Sequence, residues 1–302
     1  IALMYHRFDE NKYPSTNIRI EIFKKQIEEI KKLKVEFLHP KKFGTLFNNG
    51  FEKNYILLTI DDAFSSFYNK AWPILESMNI PFLLFVNTES IGKKGYMSWK
   101  QLKEIDESDL GIIGNHSHSH DYLINEKKEI IIKDTKTAIE IFKKELGYSP
   151  NIFSYPFGEY NDDYKKIVNN LNFEFAFGQH SGVIDISKNR LELPRFPINE
   201  KYGELDRFKL IINSLPLPYK TLSPENKYLT DEENPPEIKI VFFENLIKIE
   251  NISCYSNDDN IWKKSEIEFL NKNELIIKIK KKFKTRRGRI NCSLREKNNK
   301  WR

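Results

Sequence analysis

Three histidines fall within five residues, His116, His118 and His120 in NHSHSH, in a chain that has six in all. The run follows the apolar stretch GIIG, so it stands at the carboxyl end of a predicted strand, where barrels and open α/β sheets place reactive groups. On an extended or tightly turned segment His116 and His120 point to one side, with His118 between them or turned away. Imidazole is the commonest protein ligand for zinc and its first-row neighbours, so the cluster is expected to be a metal site. A second strand end offers the carboxylate that two imidazoles need: LLTIDD closes on Asp61 and Asp62. If one of the pair ligates the metal, the other lies beside the water that the metal activates and can take its proton. The chemistry implied is metal-assisted hydrolysis.

To bring two strand ends together, the chain needs a sheet with parallel strands. From residue 1 to about 213 short apolar runs alternate with amphipathic helices, which argues an α/β fold, a barrel or a doubly wound sheet. IALMYH is the first strand, and Phe23, Ile27, Ile30 and Leu33 mark one face of the helix after it. Further strands are expected at 55–60, 81–87, 111–117, 151–156 and 173–178. Helices are expected at about 67–79, 98–106, 126–146, 161–171 and 204–215, the long one stopping at Gly147 with Pro150 beyond. Five prolines between 216 and 236 read as a linker. Residues 237–302 alternate with period two at EIKI, IEFL and LIIKIKKKF, as a small β-sandwich accessory domain would.

Read in order, T-I-D-D (Thr59 to Asp62), H-S-x-x-H (His116 to His120) and Y-P-F-G (Tyr155 to Gly158) resemble the polysaccharide deacetylases of carbohydrate esterase family four. L-M-Y-H (Leu3 to His6) and M-S-W-x-x-L (Met97 to Leu102) extend the resemblance over about residues 1–200. It implies a distorted (β/α) barrel with fewer than eight regular strands and a catalytic domain over 1–215. It further implies Asp61 as general base, and Asp62, His116 and His120 as ligands of a divalent metal. Zinc is the first choice, with cobalt, nickel or iron also suited to a mixed N/O site. His6, Tyr155, Pro156, Phe157 and Arg195 are the expected substrate-binding residues, a backbone N–H near Phe157 helping to hold the oxyanion.

The sequence departs from the family pattern in three places. Ala63 stands where a glycine usually follows the aspartates. Ser154 replaces the arginine that opens the third motif, so Arg195, in LPRF, is the candidate guanidinium from another loop. Arg195 also occupies the place of the later histidine that serves as general acid; His180, in FGQHSG, is the first substitute and His6 the second.

The activity expected is removal of N-acetyl groups, or O-acetyl groups, from an amino-sugar polysaccharide or glycan precursor. The alternative is a catalytically impaired glycan-binding protein on the same fold, against which the intact Asp61 argues. The chain carries a net charge of +6, with eight basic residues and no acid at 278–289. That run is either a set of solvated, edge-guarding lysines or a contact for an anionic surface. No signature of a nucleic-acid-binding fold accompanies it. No apolar run is long enough to span a bilayer. The sequence opens directly on a strand with no Met and no leader, so upstream sequence is expected to have been trimmed or processed away and the N-terminus does not give the compartment. A cell-envelope or secreted location is favoured, with a cytoplasmic glycan-precursor pathway as the alternative. Cys254 and Cys292, the only cysteines, fall in the expected accessory domain.

Overall fold

The apolar runs become the strands of one parallel sheet: β1 Ala2–Tyr5, β2 Tyr55–Asp61, β3 Phe82–Val86, β4 Gly111–Asn115, β5 Ile152–Ser154, β6 Phe175–Phe177 and β7 Phe196–Pro197. In this computed structural model, which describes residues 1–244, 248–258, 261–296 and 300–302, their order is β7-β1-β2-β3-β4-β5-β6. Glu36–Phe37 adds a short parallel pairing on β2. One stretch joins the two edges: Leu193 bridges Phe177 of β6, and three residues later Phe196 pairs with Leu3 of β1. The result is the expected distorted (β/α) barrel, and the joining stretch carries Arg195 into it.

Strand alternation sorts the residues onto two faces. Leu57, Leu83, Phe85, Phe175 and Phe177 pack inside with Phe43 and Phe47. Leu58, Ile60, Phe82, Leu84 and Val86 pack outward against helical residues such as Phe23, Ile27, Leu75 and Leu102. Thr59 and Asp61 therefore share the inward face with Leu57. The helices are Ile20–Lys32, Trp72–Ser77, Trp99–Glu107, Lys128–Leu146, Asp162–Asn170 and Leu205–Ile212, all close to their expected places. Ser98 and Gln101 cap each other reciprocally at one start, and Gly147, at φ 83°, ends the longest helix in the left-handed region. The helix Phe43–Asn49 was not expected; Phe43 and Phe47 hold it, one turn apart, against Phe175.

Backbone contacts divide the chain into Ile1–Ile212 and Asn213–Arg302. The second unit has a four-stranded antiparallel sheet, in the order Tyr219–Ser223, Glu237–Phe242, Glu274–Lys278, Glu266–Asn271. A three-stranded sheet runs Lys263–Lys264, Ile252–Ser256, Ile290–Leu294. Ile240, Leu275 and Ile277 from the first sheet meet Ile252, Cys254 and Leu294 from the second in one core, and Cys254 is disulfide-bonded to Cys292 directly across the strand pair. Residues 245–247, 259–260 and 297–299 of the expected 237–302 domain lie outside the described residues. Tyr219–Ser223 falls in the expected 216–236 linker yet is a strand. Prolines 218 and 224 flank the strand, while Tyr219 and Leu222 pack on the core. The strand expected at 275–283 ends at Lys278, so most of the basic run is loop. Among the described residues no helix is long and apolar enough to cross a membrane.

Candidate metal centre and active site

Asp61 ends β2 facing inward, and the next two residues turn the chain sharply, Asp62 at φ 74° and Ala63 at φ 53°. That turn is how adjacent aspartates, which a regular strand would send to opposite faces, reach one site. Asp62 Oδ1 lies 3.6 Å from His116 Nε2 and 3.3 Å from His120 Nε2. One ligand atom from each of the three residues lies within 4.8 Å of the others. Asn87, just past β3, donates from Nδ2 to Asp62 Oδ1 at 3.3 Å. His116 continues from β4, and its Nδ1 donates to the Ser154 carbonyl at 2.7 Å, which leaves Nε2 as the lone-pair nitrogen.

That Nε2 is buried and has no hydrogen-bond partner. Burial holds the His116 imidazole down at about 4, with His120 adding to the effect and Asp61 and Asp62 opposing it, so the ring is neutral at physiological pH. A buried orphan lone pair facing a carboxylate and a second imidazole fits a divalent cation. His120 reaches the group from a tight turn, its N–H donating to Ser117 Oγ at 3.1 Å and its own φ at 58°. His118 points elsewhere, its Nδ1 2.8 Å from Thr88 Oγ1.

Asp61 is fully buried, and both of its oxygens are held by Arg195, Nη1 to Oδ1 at 2.6 Å and Nη2 to Oδ2 at 2.8 Å. The guanidinium is held in turn by Thr59 Oγ1 at 3.2 Å, Ser154 Oγ at 2.9 Å and the Gly178 carbonyl at 2.9 Å. Ser154 thus makes room for, and accepts from, an arginine supplied by the barrel-closing stretch. Burial alone would raise the Asp61 carboxyl, but Arg195, His116 and His6 together outweigh it and hold it at about 2.

Of the two candidate acids, His6 is the one brought to the carboxylate, with Nε2 3.9 Å from Asp61 Oδ2. His180 is exposed; its ring lies beside Tyr160 and its backbone carbonyl accepts from the Arg195 N–H. Tyr155, expected to bind substrate, is instead fully buried, its hydroxyl donating to the Leu191 carbonyl at 3.0 Å. Strand alternation explains this: Ser154 takes the inward place and Tyr155 the opposite one. Pro156 is buried in the turn that follows, where the Gly158 and Glu159 N–H groups are taken by the Tyr155 and Pro156 carbonyls. Phe157, at φ 58°, packs on the His120 ring at 4.7 Å. Sequence reasoning missed Asn87, whose only signal was its place after PFLLFV.

The model of the family described as polysaccharide deacetylase matches residues 48–176, which contain Asp61, Asp62, His116, His120 and the Tyr155–Gly158 turn. Over these residues the chain matches the polysaccharide deacetylase family. The poly-beta-1,6-N-acetyl-D-glucosamine N-deacetylase of Staphylococcus aureus is 27% identical over 192 residues, covering 59% of this chain and 66% of that relative. Two solved structures share the fold. The Streptococcus pyogenes deacetylase PplD has a TM-score of 0.64 and 24% identity over 70% of this chain and 96% of that one. IcaB from Ammonifex degensii has a TM-score of 0.63 and 23% identity with the same coverage. His6 and Arg195 lie outside the stretch that the family model matches, and the contacts to Asp61 join them to it.

Proposed function

We propose that the chain is a metal-dependent hydrolase that removes N-acetyl groups from an amino-sugar polysaccharide, with poly-β-1,6-N-acetylglucosamine, the substrate named for the staphylococcal relative, as the leading candidate. Acetyl esters of the same glycans are a second class open to the same chemistry. The observation that carries this reading is the orphan Nε2 of His116 facing Asp62, beside an ionised Asp61 clamped by Arg195. Zinc is the leading metal, followed by cobalt, nickel and iron. When bound at Asp62, His116 and His120, the metal supplies a Lewis acid that polarises the acetamide carbonyl and acidifies water. Asp61 accepts the proton of the attacking water. At about 2 it is a weak base, so its contribution is position and constant ionisation rather than basicity. Arg195 fixes which lone pair faces the water. His6, whose Nε2 lies 3.9 Å from Asp61 Oδ2, gives a proton to the departing amine.

A glycan-binding protein without turnover would have no use for a general base, so the intact and ionised Asp61 argues for turnover. Acetate release from poly-β-1,6-N-acetylglucosamine, abolished by a chelator and restored by zinc, tests the reading. Asp61→Asn should keep the metal and lose ~10²- to 10⁴-fold in rate, while Asp62→Asn should weaken metal binding itself. The reverse pattern would exchange the two roles.

The Cys254–Cys292 disulfide supports a cell-envelope or secreted location, since such bonds persist in oxidising compartments. The 278–289 run is the proposed contact for an anionic surface, although Lys278 and Lys280 are paired with Glu268 and Glu266. Retention on anionic vesicles that is lost at high salt would support that contact, and retention indifferent to salt would remove it.

A further inference from the structure

His118, the middle histidine of NHSHSH, and the long helix Lys128–Leu146 take no part in the chemistry of the site. His118 nonetheless lies at the centre of the loop that carries His116 and His120. That loop is in a conformation it would not hold alone, because Ser117 at φ 68° and His120 at φ 58° both stand in the left-handed region. Such angles persist only where the surroundings over-determine them. Every backbone N–H from Ser117 to Asp121 donates to a side chain. Three of these bonds stay near the loop: Ser117 to Asn115 Oδ1 at 2.8 Å, His120 to Ser117 Oγ at 3.1 Å and Asp121 to Ser119 Oγ at 3.1 Å. The other two leave it for one residue of the long helix, His118 donating to Asp134 Oδ1 at 2.8 Å and Ser119 to Asp134 Oδ2 at 3.0 Å. From the other side, the Thr88 and Glu89 N–H groups, just past β3, donate to the Ser117 and His118 carbonyls at 3.3 and 3.1 Å. Thr88 Oγ1 also pairs with His118 Nδ1 at 2.8 Å.

We propose that Asp134 is a positioning residue for the metal: by clamping His118 and Ser119 to the helix, it fixes where the His120 imidazole stands relative to His116 and Asp62 before an ion binds. The proposal rests on the metal reading of Asp62, His116 and His120 and deepens it. Without the clamp the ion must order the strained loop itself, and that cost is subtracted from its affinity. A carboxylate suits the place, since when ionised it accepts from two N–H groups at once and donates to neither. An amide of the same shape has one oxygen to offer and turns its own N–H groups toward the second donor. His118 is accordingly the splint of the ligand loop, held through its N–H by Asp134, through its carbonyl by Glu89 and through its ring by Thr88.

Three quantities test the clamp in wild type, Asp134→Asn, Asp134→Ala and Thr88→Val: zinc affinity by competition titration, the visible spectrum of the cobalt-substituted protein, and the Tm of the metal-free protein. Both Asp134 variants should bind zinc ~10- to 100-fold more weakly, as loss of a partner behind the ligands does elsewhere. Their cobalt bands should change in position and intensity, because the angle between the two imidazoles is no longer fixed. Thr88→Val, which removes only the ring's partner, should weaken zinc in the same sense by less. Zinc affinity and cobalt spectrum unchanged in the Asp134 variants, whatever the shift in Tm, would overturn the clamp and leave a packing role. Should the alanine variant fail to fold, the asparagine variant, which keeps the side chain's shape, decides by the same two readouts. A wild type that binds no zinc would overturn the clamp together with the metal reading; a wild type that binds zinc no better than Asp134→Asn would overturn the clamp alone.

Discussion

Every nitrogen of the Arg195 guanidinium has a partner, and both it and Asp61 are fully buried; Tyr122, stacked on the Phe157 that packs on His120, is 45% exposed. The floor of the site draws Thr59 and Asp61 from β2, Ser154 from β5, His116 from the end of β4 and Arg195 from the stretch that closes the barrel. The rim draws on two turns. Because the floor is desolvated, each of its charges exists only by virtue of its partner, and removing one strands another. Rim residues can change without that penalty. Reaction chemistry is therefore expected to reside in the part that tolerates no substitution, and substrate choice in the part that does.

The largest expected effect breaks the floor. Arg195→Met leaves the Asp61 carboxylate buried without its bidentate partner, at a cost of ~3–5 kcal/mol in stability. Burial then raises the Asp61 carboxyl, so the base becomes protonated and activity should fall by ~10²- to 10⁴-fold. Denaturant midpoints and kcat would read both. Ser154→Arg placed in that background should recover part of each, because Ser154 Oγ already lies 2.9 Å from the guanidinium. A double variant as impaired as the single one would mean that the guanidinium must come from the closing stretch.

Next in size is the support of the metal ligand itself. Asn87→Ala removes the amide that donates to Asp62 Oδ1, and should weaken zinc binding by ~10- to 100-fold with kcat at saturating zinc largely kept. Unchanged affinity in a zinc competition titration would show that His116 and His120 orient Asp62 by themselves.

The burial of the floor also sets its answer to pH. His116 falls from its ordinary 6.5 to about 4 in the fold, so between those values the unfolded chain holds the proton that the folded chain refuses. Its stabilising contribution, on the order of 3 kcal/mol, is complete above pH 6.5 and is lost as the pH falls to 4. Asp61, lowered from 3.8 to about 2, adds a second loss between those values. The Tm of metal-free protein should therefore drop between pH 6.5 and 4 and again below, and His116→Gln should abolish the first drop.

Much of the floor was legible because the signals were local. A run of apolar residues ending on Asp61 and Asp62, and another ending on His116, obey the rule that parallel strands present chemistry at their carboxyl ends. The relocated guanidinium was legible only as a candidate, since its contacts to Asp61 span 134 residues. The choice between His6 and His180 depended on how the barrel closes, which no spacing reveals. Tyr155 was misplaced because the motif names the residue while strand alternation decides which way it points. The helix Phe43–Asn49 has Gly44, two asparagines and no side-chain cap; tertiary contact with Phe175 makes it a helix.

The smallest expected effect concerns the turn that joins floor to rim. Ala63 sits at φ 53° where family members usually carry glycine, so its Cβ costs ~1–2 kcal/mol of backbone strain. Against this, Ala63→Gly loosens the unfolded chain, which costs ~0.4–1 kcal/mol. It also removes a methyl that is fully buried in the core around β2, at about 0.8 kcal/mol. The terms nearly cancel, which is the physical reason alanine is tolerated here. Ala63→Gly should then change stability by less than ~1 kcal/mol, whereas Ala63→Val, whose branched side chain fits neither the left-handed backbone nor the filled space, should destabilise by ~2 kcal/mol or more and weaken zinc binding through Asp62. Denaturant titrations of the two variants separate the accounts: a glycine variant stabilised by well over 1 kcal/mol would mean that the strain at this turn is larger than the backbone angle implies, and that the site holds it in place for catalysis.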